Sequence, residues 1–165
     1  MTIAELNACD SPRFVDAIGW AFEHSPWVAE RAWRHRPFAS VDELHAAMMR
    51  EVARASIDEQ LALLRAHPDL GTRARMTDSS AAEQSGAGLD RMTPEDFDQL
   101  RRLNEAYRRK FGFPFLFAVK GSTAQQILAA LEARLPSAAD NERAEALRQV
   151  SRIVRFRLEQ AITEA

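Results

Sequence analysis

The sequence predicts an all-α protein, a single domain across residues 1–165 with about seven to nine helices and one short extended segment near 113–119. Three observations point there. Apolar residues recur at spacings of three and four, helix-start chemistry repeats along the chain, and no stretch sustains the period-two alternation of a half-buried strand. The length of 165 residues suits one core. A chain of this size buries roughly 70% of the surface its unfolded form exposes, so it needs no disulfide or metal staple.

The elements follow in order. Ser11-Pro12 and Ser25-Pro26 each place a capping hydroxyl before a proline suited to the first helical position. Phe14, Ile18 and Phe22 then share one face. Ser40-Val-Asp-Glu43 and Ser56-Ile-Asp-Glu59 read as capping boxes, with Leu44, Met48 and Val52 on the face that follows the first. Asp78 or Ser79 opens a further helix, and Thr93-Pro94-Glu95-Asp96 opens a long one bearing Phe97, Leu100, Asn104 and Tyr107 on one side. Gly121-Ser122-Thr123 and Asp140 mark the last starts, and Pro37 and Pro136 act as breakers. Leu147, Val150, Val154 and Leu158 form the stripe of the final helix. The exception is Phe113 to Val119, FPFLFAV, bounded by Gly112 and Gly121 and expected to be extended.

Composition narrows the function. Twenty-two Lys+Arg against 24 Asp+Glu give a net charge of −2, without the basic excess of a nucleic-acid or acidic-membrane binder. Cys9 is the only cysteine, which excludes an internal disulfide and a cysteine zinc cluster. The start, MTIAELNACD, lacks the basic and apolar regions of a signal peptide, no stretch approaches the ~18 apolar residues of a membrane span, and the chain ends ITEA, so a cytoplasmic location is expected.

Three places could carry chemistry. His67 lies in Ala66-His67-Pro68-Asp69-Leu70-Gly71, where Pro68 disfavours helix at the residue before it. An imidazole fixed at a helix end can act as an acid or base; it can equally do no more than complement the helix dipole. In Ser80-Ala81-Ala82-Glu83-Gln84 a carboxylate beside a carboxamide offers adjacent acceptors and donors, as a ureide or amide ligand requires, although a dipole partner with a solvated neighbour reads the same. Arg157 sits on or beside the apolar stripe of the last helix. An inward guanidinium there needs a partner, either a ligand or an internal carboxylate. His24, His35 and His45 lack the spacing of a helical metal pair, and Arg31, Arg34 and Arg36 read as a solvated face. Trp20, Trp27 and Trp33 read as core or interface anchors.

Taken together, Phe22-Glu23-His24-Ser25-Pro26, HPDLG at 67–71, Ser80-x-x-Glu83-Gln84, Leu103-Asn104-x-x-Tyr107 and FGFPF at 111–115 occur in an order that resembles the 2-oxo-4-hydroxy-4-carboxy-5-ureidoimidazoline (OHCU) decarboxylase family over essentially the whole chain. Ala118-Val119-Lys120-Gly121 is similar to the bacterial branch. The resemblance implies an all-helical homodimer of urate degradation that converts OHCU to (S)-allantoin and CO2 without a cofactor or metal. Carried over by motif, it implies a catalytic His67 with Glu83 as partner. It implies substrate contacts at Pro68, at Ser80, Ala81, Ala82, Glu83 and Gln84, at Phe115, Leu116, Phe117, Ala118 and Val119, and at Arg157.

The chemistry agrees with that implication. The electron pair released by decarboxylation needs a sink, usually a lysine Schiff base, pyridoxal or a metal. OHCU carries its own in the ring C=N next to the carboxylated carbon. Two other classes remain to be weighed. A helical interaction module would leave the HPD, EQ and FGFPF residues without a task, and a ureide hydrolase would want a metal or an activated nucleophile.

Overall fold

The computed structural model describes residues 1–71 and 78–163. Among them are nine α-helices: α1 (Ile3–Ala8), α2 (Ser11–Ile18), α3 (Trp27–Ala32), α4 (Val41–Arg54), α5 (Ile57–Arg65), α6 (Asp78–Gly86), α7 (Pro94–Phe111), α8 (Ala124–Arg134) and α9 (Ala139–Ala161). Short 3₁₀ turns occupy Gly19–Ala21, Trp33–His35 and Leu89–Arg91, and no strand occurs among the described residues. The all-α expectation holds. None of these helices is long and apolar enough to cross a membrane.

Helix starts follow capping chemistry, with informative departures. Thr2, Ser56 and Thr123 form complete capping boxes with Glu5, Glu59 and Gln126, so side chains meet two orphan amides at each start. Ser40 accepts from the Glu43 amide, but the Glu43 carboxylate reaches one residue further back, to the Ala39 N–H at 2.8 Å, leaving the box half made. The cap of α2 is Asp10 rather than Ser11; its carboxylate accepts from the Arg13 amide. Ser25 does not cap α3. The chain enters that helix through Pro26 in a helical conformation, and the buried Ser25 hydroxyl donates instead to the Glu23 carbonyl at 3.0 Å.

The chain forms two compact units, Met1–Ala66 with the chain from Ser151 onward, and His67–Val150. In the first, α3 packs on α4, and Phe14, Ile18, Phe22, Leu44, Met48, Val52, Val154 and Leu158 are all buried, as their spacing requires. In the second, α7 packs on α8. Leu100, Asn104 and Tyr107 form the buried face of α7, and Gly112 ends that helix in the left-handed conformation that glycine adopts freely. Residues 114–119 then run without helix or strand, as the sequence indicates, and are buried apart from the half-exposed Phe117.

Candidate active site

In the second unit the HPDLG turn is built by a helix stop. The cap of α5 is Ala66, proline follows two residues later, and His67 is left outside the helix yet only 6% exposed. It is therefore not a surface histidine at a frayed helix end, and shortening it removes packing as well as an imidazole. The turn closes at Gly71, whose φ of +69° suits glycine, and an added Cβ would lie 2.6 Å from Leu100 Cδ2. The Gly71 N–H donates to Gln84 Oε1 at 2.8 Å, which joins HPDLG to the Ser80–Gln84 motif on α6.

On α6, Ser80 and Gln84 lie one turn apart and are both buried, Glu83 is half-buried, and Ala81 and Ala82 are exposed. The motif thus splits by helical face, and the reading of Gln84 as a solvated neighbour is closed. Asp69 pairs with Arg108 at 3.4 Å, and both line a cavity of about 320 Å³ together with Gly71, Leu100 and Asn104.

The 115–119 segment is held by Tyr107 and by three side chains that the sequence reading did not single out, Arg134, Gln149 and Glu142. Arg134, in the last turn of α8, donates from Nη1 to the Leu116 carbonyl at 2.6 Å and lies 4.5 Å above the Phe115 ring. The Ala118 N–H donates to Gln149 Oε1 at 3.0 Å. Phe115 meets Tyr107 edge-on at 5.4 Å. Behind them Glu142 Oε1 accepts from the Tyr107 hydroxyl at 2.5 Å and from Arg134 Nε at 2.6 Å. Burial, then the Glu142 carboxylate, push the Tyr107 phenol well above its ordinary range, so Tyr107 is a fixed neutral donor. Main-chain groups of a non-helical segment are thereby fixed in place without a regular ladder.

Arg157 belongs to the first unit and points inward, 2% exposed, as its place on the stripe suggests. Its Nη1 donates to Glu23 Oε2 at 3.0 Å and to the Ala21 carbonyl at 3.2 Å. The internal carboxylate weighed in the sequence reading exists, and it is the glutamate of Phe22-Glu23-His24-Ser25-Pro26. Two of the arginines read as a solvated face hold structure instead. Arg31 pairs with Glu59 at 2.5 Å and Arg36 donates to the carbonyls of Asn7, Cys9 and Trp33. His45 Nε2 contacts the Ser151 carbonyl at 2.9 Å. Among the described residues no group of three His, Cys, Asp or Glu is arranged to hold a metal ion.

Comparison with known proteins settles the family. The OHCU decarboxylase family model matches residues 7–159. The chain belongs to the OHCU decarboxylase family. The 2-oxo-4-hydroxy-4-carboxy-5-ureidoimidazoline decarboxylase of Haloferax volcanii is 51% identical over 158 residues, covering 96% of this chain and 94% of that one. The uric acid degradation bifunctional protein of Bacillus subtilis is 45% identical over 163 residues, 99% of this chain but 33% of that protein. A crystal structure of (S)-allantoin synthase superposes with a TM-score of 0.81 at 32% identity; the match covers 98% of this chain and 54% of that one. This OHCU decarboxylase family member thus corresponds to about a third of the Bacillus protein and about half of the synthase chain.

Proposed function

We propose that this chain decarboxylates OHCU to (S)-allantoin and CO2 as a step of urate degradation, acting as one domain over residues 1–165, as a cytoplasmic homodimer and without cofactor or metal. The C–C bond to the carboxylate breaks, its electron pair forms a C=C bond to the ureido-bearing carbon, and the pair of the ring C=N passes to that nitrogen, which takes up a proton. The resulting enol loses its hydroxyl proton as a proton is added to the ureido-bearing carbon from one face, leaving the ring carbonyl of allantoin, with one proton consumed for each CO2 released. No oxidant or electron acceptor beyond the substrate is needed. His67, partnered by Glu83, moves these protons as general acid and base. Pro68, the Ser80–Gln84 segment, the fixed backbone of Phe115–Val119 and Arg157 bind the ring, ureide and carboxylate.

The observation that supports this reading most is the 2.8 Å bond from the Gly71 N–H to Gln84 Oε1, which couples the turn bearing a buried His67 to the helix bearing Glu83. The test is incubation with freshly generated OHCU, following (S)-allantoin by circular dichroism. His67→Asn should stay folded and lose ~10²–10⁴ in kcat, the worth of a general acid–base. Near wild-type turnover would remove His67 from the mechanism, and activity lost to chelators and restored by a divalent metal would overturn the cofactor-free scheme.

A further inference from the structure

Neither residue of Asn104-x-x-Tyr107 is among those proposed to touch substrate, yet Asn104 is a buried polar side chain in the middle of α7. A carboxamide is a poor choice for a helix's packed face unless something there needs its hydrogen bonds. Asn104 Nδ2 donates to the Leu70 carbonyl at 2.9 Å. The Leu70 carbonyl and the Gly71 N–H are the two ends of one peptide group, and the second end is held by Gln84 Oε1. Two carboxamides, from α7 and α6, therefore grip a single peptide plane from opposite edges. Leu100, one turn before Asn104, closes on the Gly71 α-carbon so tightly that no side chain fits there without displacement.

We infer that Asn104 and Gln84 form a clamp on the Leu70–Gly71 peptide, and that Asn104 is a positioning residue for His67, three residues upstream of Leu70 in the same turn. The inference rests on the reading of His67 as the acid–base. A peptide plane can rotate while its flanking α-carbons barely move, so a turn held by only one end of a peptide has a low-cost way to reorient. Two bonds perpendicular to the chain remove that freedom at a position where the glycine at 71 imposes little restraint of its own, while the proline at 68 fixes φ next to His67. A proton-transfer group displaced by about 1 Å loses on the order of a hundredfold in rate, so a clamp that never meets the substrate still sets kcat.

The test is Asn104→Leu, which keeps the bulk and removes the donor, with Asn104→Ser as a second variant should the first not fold. Two measurements are made on each. Native-state amide exchange by NMR should quicken at Gly71 by about tenfold, the worth of one lost hydrogen bond, while the Leu64 amide inside α5 changes little. Steady-state kinetics should show kcat reduced about tenfold to a hundredfold with KM nearly unchanged. Parallel quickening at Gly71 and Leu64 would mean general loosening and overturn the clamp. A faster Gly71 amide with unchanged kcat would overturn the positioning role. The exchange measurement needs no substrate, so it decides the clamp even if the wild-type protein fails to turn over OHCU, a result that would sink the functional reading instead.

Discussion

In the first unit Arg157 meets Glu23; in the second Arg134 meets Glu142. The first pair is fully buried and the second joins a buried glutamate to a half-buried arginine, and both arginines also donate to a main-chain carbonyl. They differ in what that carbonyl belongs to. Arg157 holds Ala21, two residues before its own carboxylate partner, so the pair closes on one short stretch of chain. Arg134 holds Leu116 and covers Phe115, while Glu142 extends the network to Tyr107, so the second pair ties together α7, α8, α9 and the 115–119 segment. The first arrangement neutralises a charge that helix geometry drives inward. The second is a brace for backbone that has no ladder of its own.

Three experiments test that contrast. Largest should be removal of one carboxylate. Glu23→Leu strands Arg157 in a site where the arginine and glutamate side chains are 2% and 0% exposed, and the expected loss is about 3–5 kcal/mol in urea denaturation. Glu142→Leu should cost less, because the Arg134 side chain keeps 13% exposure and can reach water. The reverse order would mean that the orphaned Tyr107 hydroxyl outweighs the stranded guanidinium, and the two pairs would have to be ranked the other way. Next is Arg157→Lys, which keeps the charge but loses the two-pronged donor geometry. If Arg157 also binds substrate, kcat/KM should fall roughly tenfold to a hundredfold. A lower melting temperature with intact kcat/KM in the folded protein would assign it wholly to Glu23.

The smallest expected effects concern pH, and their signs differ between the units. Burial holds the His45 imidazole of the first unit below its ordinary 6.5, with the Arg155 charge acting in the same direction and Ser151, Asp42 and Glu159 opposing it. The fold therefore favours neutral His45. Its contribution is complete above that pH and drains as pH falls below it. Tyr107 of the second unit is shifted upward from 10.0, so the fold favours its protonated form and the contribution drains as pH rises past 10.0. Urea midpoints across pH should show a shallower acid limb in His45→Asn and a shallower alkaline limb in Tyr107→Phe. Unchanged limbs would detach these residues from the pH response of their units.

The two arginines also show where sequence reasoning reaches and where it stops. Arg157 interrupts an apolar stripe about one turn before the end of a long helix, and the period alone turns it inward. Arg134 stands in the last turn of α8, where an arginine is expected in any helix because it complements the dipole. Its inward role left no pattern to read. Asn104 lay in plain view on the face of Leu100 and Tyr107, and a polar residue at a buried helical position was the available signal. The capping misreadings have the same origin. Asp10 displaced Ser11, and Ser25 turned to Glu23, because a hydroxyl has several acceptors within reach and the approach of the chain selects among them.

The sequence by itself determined the all-α class, most helix starts, the non-helical character of the segment it read as extended over 113–119, the inward side of Arg157 and the family, since each depends on contacts between residues a few positions apart or on motifs read in order. Tertiary structure alone decided the partners. That Arg157 meets Glu23, that Leu116 is held from α8, and that one peptide of the HPDLG turn is gripped from α6 and α7 depend on residues 13 to 134 positions apart. Local propensity carries no information over such separations. Only packing, which brings buried donors to the acceptors they require, selects those pairs.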